Sequence, residues 1–315
     1  MARGRGMNGL REHLADYLQL RRSLGHQMAE AAWLLPDFVA FLDERGQSTV
    51  TIQAALAWVR LREDEVVTTV SPRRITAVRG FARYLSGIDP ATEIPPMGLV
   101  PHRQRWRPPF LYSSADITAL LTEADAIGPP FRAATYHTLL GLLAASGLRI
   151  GEAIGLDDDD IDWAQGVLLI RESKFGKSRL VPLHASVMQA LREYDTLRSA
   201  TAPHPKDSAF FISRTHRRLV YAVVSLTFRQ LVTGAGVGTD APHPPRLHDL
   251  RHSFAVRTLL HWYRTEDNVQ ARIPSLSTYL GHREPAHTYW YLSAAPELLA
   301  LAAARREGIG KAARS

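Results

Sequence analysis

Apolar residues recur at helical spacing through Leu10–Leu24, Ala29–Leu42, Ile52–Leu61 and Pro72–Leu85, which predicts four amphipathic helices in the first 87 residues. Ser48 and Ser71 stand near the starts of the last two, where a side-chain oxygen caps orphan N–H groups. The pattern then breaks. Residues 88–110 (GIDPATEIPPMGLVPHRQRWRPP) are proline-rich and aperiodic with a basic end, and read as an extended linker. Further on, Ser114–Glu123, Ala133–Ala145, Tyr221–Thr233, His248–Trp262, Leu276–Leu280 and Ala286–Tyr291 read as helices. Val167–Glu172 and Ser178–Leu183 are β-rich runs around a turn at Ser173–Lys177, which predicts a hairpin, with Ala209–Ser213 a candidate third strand. Between Arg251 and His282 the stretch HWYRTEDNVQARIPSLSTYL reads as holding an extended loop.

The expected fold is therefore mainly α with a small antiparallel β-sheet, in two domains. The boundaries fall at 1–87 (helical), 88–111 (linker), 112–300 (mixed, with the hairpin) and 301–315 (tail). Pro296–Glu307 is apolar enough to form a helix, docked within its own chain or onto a neighbouring subunit.

Charge adds a partner. Thirty-eight basic residues against 31 acidic ones give a net charge of +7, which favours a polyanion, nucleic acid first. Arg73, Arg74, Arg79 and Arg83 run along the fourth predicted helix and suggest a basic face for phosphates. Arg103 and Arg105 in the linker are candidates for the same role. The absence of cysteine excludes disulfides, thiolate metal sites and thiol nucleophiles. No apolar run approaches a membrane span and no apolar stretch follows the basic start, so a cytoplasmic protein is expected. Only four of the basic residues are lysine (Lys174, Lys177, Lys206 and Lys311), and two of these sit three residues apart at the hairpin tip.

Five local patterns carry candidate chemistry. They are Ser146-Gly-Leu-Arg149-Ile-Gly-Glu152 at a glycine turn between helices, Lys174-Phe-Gly-Lys177 at the hairpin tip, and His248-Asp-Leu-Arg251-His opening a helix. Leu280-Gly-His282 follows, and Thr288-Tyr-Trp-Tyr291 stands nine residues beyond His282. Each is weak alone; their order is informative. It resembles the tyrosine recombinase family, which includes the phage integrases and the Xer and Cre recombinases. The family's order is Arg, hairpin Lys, His-x-x-Arg, His or Trp, then Tyr, and it falls here on Arg149, Lys174, His248 with Arg251, His282 and Tyr291. Glu152 matches the acidic residue the family keeps one turn after its first arginine. Tyr289 is the alternative nucleophile, disfavoured because the spacing from His282 to Tyr291 is the family's.

The resemblance implies transesterification at a DNA phosphodiester through a 3′-phosphotyrosine, and a helical core-binding domain at residues 1–87. It also implies a clamp around the duplex and a homotetramer on two duplexes, with related recombinases as further partners. No metal or other cofactor is expected. The residue types suit that chemistry. Planar guanidinium forks hold phosphate oxygens and never lose their charge. Imidazoles add hydrogen bonds, with His248 the candidate to accept the phenol proton and the cationic pocket expected to favour phenolate. A lysine can protonate the leaving 5′-oxygen where an arginine cannot; Lys174 is at the family position and Lys177 is the fallback. Three rivals remain: a metal-dependent nuclease built on Asp157–Asp160 and Asp162, a catalytically silent DNA-binding protein of the same fold, and a type IB topoisomerase-like enzyme.

Overall fold

The computed structural model describes residues 5–61, 70–100, 108–173, 177–265, 268–282, 284, 286–294 and 297–301. They divide into two compact units, Met1–Trp106 and Arg107–Ser315.

In the first unit α1 (Arg5–Ser23), α2 (Ala29–Glu44), α3 (Ile52–Arg60) and α4 (Val70–Leu85) enclose one core. Leu35, Phe38, Leu42, Trp58 and Phe81 lie at its centre. Thr51 caps α3 by accepting the Ala54 amide at 3.1 Å. The first half of the proline-rich stretch packs back on this unit. The Glu93 amide donates to the Val50 carbonyl, the Glu93 carboxylate takes the Ile52 amide at 2.7 Å, and Leu99 and Val100 lie against the core.

Two of the helix α4 arginines correct the expected basic face. Ile75, Val78, Phe81, Ala82 and Leu85 form the buried stripe, and Arg74 shares it at 3% exposure. There its guanidinium lies over the Trp58 ring and pairs with Asp37. Arg79 donates to the carbonyls of Pro95 and Pro96, at 2.7 and 2.9 Å, and so staples the proline-rich segment. Arg73 and Arg83 are exposed.

The second unit is built around α6 (Pro130–Ser146), buried on most of its circumference. Packed around it are α5 (Ser114–Ala126), α8 (Ala185–Thr201) and α10 (Leu247–Thr265). Strands β1 (Ile161–Asp162), β2 (Val167–Ser173) and β3 (Lys177–Pro182) form an antiparallel sheet in that order. Leu168 pairs with Val181 and Ile170 with Arg179. The short α7 (Ile150–Ile154), α9 (Tyr221–Gly234), α11 (Val269–Leu280) and α12 (Ala286–Ala294) complete the unit.

Three elements differ from the expectation. The third strand is Ile161–Asp162, while Ala209 and Ile212 make only isolated bridges, to Asp157 and Arg218. Helix α8 was not predicted, although Met188, Leu191 and Tyr194 repeat at helical spacing on its buried side. The extended loop before His282 is instead the end of α10 and the whole of α11. Asn268 caps α11 through the Ala271 amide, and Pro274 is tolerated inside it. No helix among the described residues is long and apolar enough to cross a membrane.

Candidate active site

The site assembles where three chain breaks meet. Helix α6 ends at Gly147, whose φ of 63° is left-handed and whose missing Cβ leaves room for the Phe254 ring, 2.4 Å from where that carbon would lie. The chain turns at once into α7, with Arg149 as N-cap and Glu152 reaching back to the Arg149 amide at 3.0 Å. Helix α11 ends at Gly281 in a left-handed turn: the His282 amide returns to the Ser277 carbonyl and the Gly281 amide to Thr278. The next three carbonyls accept no backbone amide among the described residues. Each takes a different guanidinium. Tyr279 accepts from Arg179 Nε at 2.8 Å, Leu280 from Arg251 Nη2 at 2.6 Å and Gly281 from Arg149 Nη2 at 3.0 Å. The negative pole of α11 therefore sits against three cations from three different elements.

One carboxylate joins two of them. Glu152 takes Arg149 Nη1 at 2.7 Å and the Arg179 fork at 3.0 and 2.8 Å. Those hydrogen bonds overcome burial and hold its carboxyl at about 2. Arg251 is 2% exposed and also donates to the Gly147 carbonyl at 2.9 Å. Burial and the nearby Arg149 pull it down to about 10.

Helix α10 carries His248, Arg251 and His252 one turn apart, so they share a face. Its first turn is tied by Asp249, which accepts the Arg246 amide and guanidinium. His248 opens on a cavity of 540 Å³ lined also by Arg149, Glu152, Arg171 and Tyr221. Crowding by protein on its other side, then Arg251, pushes it down to about 4, so the ring is neutral with a lone pair to accept a proton. His282 Nδ1 is 2.7 Å from Thr288 Oγ, which is fully buried and fixes the ring's orientation.

Helix α12 brings Tyr291 to this cluster from its own chain. The phenol is 2% exposed, lies where Arg251 and Arg149 act on its hydroxyl, and is stacked near His282 with ring centroids 5.9 Å apart. Tyr289, two residues earlier, is 45% exposed and faces outward. Burial raises the Tyr291 hydroxyl above its ordinary value by more than Arg251 and Arg149 lower it. In the free protein the phenol is therefore protonated, against the expectation of a phenolate.

The structure thus gathers Arg149, Glu152, His248, Arg251, His282 and Tyr291 into one cluster, of which Arg149, Glu152 and His248 line the cavity. Lys174 lies outside the described residues, as do Arg103 and Arg105; Lys177 opens β3. Two side chains escaped the sequence reading. Arg179 lies within the β-rich run Ser178–Leu183, but its partner, Glu152, is 27 residues away in sequence. His252 was legible only as the last letter of His-x-x-Arg-His. Its ring lies 4.7 Å from that of His248, 5.4 Å from Tyr291 and 5.2 Å from Trp290. The acidic run offered to a metal is instead paired with arginines, Asp157 with Arg218, Asp158 with Arg198 and Asp160 with Arg171.

The sequence model described as the phage integrase family matches residues 113–297. A protein of Sinorhizobium fredii, y4rB, named as an integrase/recombinase, is 41% identical over 308 residues, 96% of this chain and 98% of its own length. The tyrosine recombinase XerC of Azotobacter vinelandii is 35% identical over 219 residues, 70% of this chain and 67% of its own. Among solved structures, the Tn1549 transposon integrase in complex with transposon right end DNA superposes with a TM-score of 0.65 over 95% of this chain and 99% of that one, at 16% identity. XerH recombinase bound to palindromic difH substrate gives 0.62 over 88% and 79%, at 19% identity. At those identities the two structures establish the fold.

Proposed function

Since the chain belongs to the phage integrase family of tyrosine recombinases, enzymes that cleave and rejoin DNA at specific sites, we propose that Tyr291 is the nucleophile and Arg149, Arg251 and His282 hold the scissile phosphate. The observation that carries this reading is the Tyr291 phenol buried among His252 and His282, where the charges of Arg251 and Arg149 act on its hydroxyl, within one chain.

In this reading the phenol oxygen attacks phosphorus while its proton passes to neutral His248. The bond from phosphorus to O5′ breaks, and a protonated lysine, Lys174 or failing it Lys177, supplies the proton that O5′ needs. The product is a 3′-phosphotyrosine and a free 5′-hydroxyl. A second 5′-hydroxyl reverses the step, and because a phosphodiester is conserved throughout, no nucleotide cofactor is consumed. The guanidiniums act on the charge that gathers on the non-bridging oxygens; one preorganised donor of that kind is worth about 3–4 kcal/mol. Each phosphate arriving in the cavity also offsets the cations that depress His248, which raises its basicity when the base is needed.

The working assembly on this reading is a homotetramer joining two duplexes in the cytoplasm, open to related recombinases. A silent DNA-binding protein and a topoisomerase-like enzyme are not favoured by relatives that are recombinases by name.

The test is a suicide DNA substrate whose short released fragment, bearing the free 5′-hydroxyl, diffuses away. Wild type accumulates a covalent adduct, and Tyr291→Phe gives none while its DNA affinity stays within about twofold. An adduct formed by Tyr291→Phe overturns the assignment. Lys174→Arg keeps the charge but loses the proton donor, and slows adduct formation by about 100-fold or more; an unchanged rate moves that role to Lys177.

A further inference from the structure

We propose that Arg179 is a positioning residue for strand cleavage: it holds both oxygens of Glu152 and the Tyr279 carbonyl, and so keeps Glu152 from closing as a two-point fork on Arg149. The proposal rests on the reading of Arg149 as a phosphate-holding group.

The geometry of Glu152 carries it. A carboxylate offers about four lone-pair positions. Arg149 Nη1 and Arg179 Nη1 share one oxygen, at 2.7 and 3.0 Å; Arg179 Nη2 and the Arg149 amide share the other, at 2.8 and 3.0 Å. Arg149 thus spends one side-chain N–H on Glu152 and one on the Gly281 carbonyl. A guanidinium has five such donors, so three remain to face an incoming phosphate. Without Arg179, two lone-pair positions of Glu152 open, and the adjacent cation is Arg149. Arginine and carboxylate prefer two parallel bonds. The carboxylate would then draw on the donors that cleavage needs, and a phosphate would have to compete with a buried anion for them.

Arg179 is built in to prevent this. It sits on the inward side of β3, across from Ile170 and two residues before buried Val181. Its side chain is 10% exposed. Gly281 lies so close that a Cβ there would be 2.7 Å from Arg179 Nη1. A lysine cannot substitute, because a single ammonium cannot span two carboxylate oxygens and a carbonyl at once.

The experiment uses the full chain and the suicide substrate, with DNA affinity and thermal unfolding measured alongside. Arg179→Lys is expected to bind DNA within about twofold of wild type yet form adduct about 10- to 100-fold more slowly, the range seen when supporting shells of other active sites are altered. Gly281→Ala, which presses the same fork from the other side, should show the same split between affinity and rate. Adding Glu152→Gln to Arg179→Lys removes the competing carboxylate. The double variant should then be no slower than Arg179→Lys alone, a coupling that a scaffold role does not produce. The proposal falls if Arg179→Lys cleaves at the wild-type rate, if the two losses multiply, or if rate declines only in step with affinity and unfolding temperature. No adduct from wild type itself would remove the underlying reading of the site.

Discussion

Two groups of arginines in the second unit use the same residue types to opposite ends. Around the turn after α7, Arg218, Arg198 and Arg171 each have a carboxylate of their own, Asp157, Asp158 and Asp160, and Arg198 a second in Asp195. Around the end of α11, Arg149 and Arg179 share the carboxylate of Glu152, Arg251 has no ion pair among the described residues, and the carbonyls of Gly147, Tyr279, Leu280 and Gly281 take the rest. Matched charges make a staple that ties the 157–160 turn to α8 and the 208–218 loop. Unmatched charges make a place where an anion is missing. Carbonyls hold the guanidiniums in position without neutralising them, so an excess positive charge remains there, which on the proposed reading serves a phosphate. The same residue therefore reads as structural or catalytic according to the charge count around it, and that count is invisible in the sequence.

The largest effects should separate the two groups cleanly. Arg149→Gln is expected to slow single-turnover cleavage by about 100- to 1000-fold, the cost of one preorganised donor. It should leave thermal stability level or higher, since it relieves repulsion with Arg251. Arg198→Met should do the reverse. Its removal leaves the half-exposed Asp158 and Asp195 without their cation and strips the buried Ala209 carbonyl of its donor; the unsatisfied carbonyl sets a cost of about 1–3 kcal/mol. The surviving folded protein should cleave within about twofold of wild type. Chemical denaturation and single-turnover rates on both variants decide it, and a stable, slow Arg198→Met would dissolve the distinction.

A ligand sharpens the same contrast. Inorganic phosphate at millimolar concentration should raise the melting temperature of wild type by binding the folded state. Arg149→Gln should lose most of that gain and Arg218→Lys should keep it. Equal gains in all three proteins would place the anion elsewhere.

How much of this was readable beforehand follows from range. The glycine that ends α6, the arginine that caps α7, and His248 and Arg251 one turn apart are local geometry, and local spacing encodes them. The choice of Tyr291 over Tyr289 came from its spacing to His282, and the helix places the two on different faces. Helix α11 was obscured because Pro274 and a polar stretch hide a periodicity carried by Val269, Ile273, Leu276 and Leu280. Arg179 stayed hidden because its meaning lies in Glu152 and Tyr279, 27 and 100 residues distant. Arg74 was misread although the signal was present: it falls in the same helical stripe as Val78, Phe81 and Leu85, and charge was allowed to outweigh position.

Acid should dismantle the two groups at different pH. His248 and His252 lie at about 4 and about 3 in the folded protein, against about 6.5 unfolded. Burial is the largest cause for both rings; Arg251, Arg149 and Arg246 add to it at His248 while Asp249 opposes it, and His248, Arg246, Arg251 and His282 add to it at His252. The unfolded chain therefore binds more protons in this window, and stability rises with pH there. It is complete above about 6.5 and is lost as pH falls towards 4. Asp157 is also held below its ordinary value, by Arg218 and Ser208 against a burial effect that raises it, so its contribution disappears only in stronger acid. Melting temperature followed from pH 7.5 to 4 should decline in wild type, and His252→Phe, which keeps the ring packing, should flatten part of that decline. A wild-type curve that is level down to pH 4 would contradict the burial of these imidazoles among cations.

The smallest expected effects lie in the first unit, where the charge-count rule extends to DNA contacts made at a distance from the chemistry. Arg83 is exposed on α4, and none of the ion pairs among the described residues involves it. Arg74 on the same helix is buried over Trp58. If Arg83 meets a phosphate, Arg83→Ala should weaken DNA binding a few-fold, uniformly across sequences, and reduce the slope of log affinity against log salt by about 1. Arg73, already paired with Glu30 at 3.5 Å, should give a smaller change because the phosphate must displace a carboxylate. Arg74→Met should leave the salt slope untouched and act only through stability, since no counterion is released by a guanidinium that never leaves the core. Salt titrations of the three variants rank them directly. A slope lost at Arg74 and retained at Arg83 would mean that burial and pairing do not sort the arginines of this protein, in either unit.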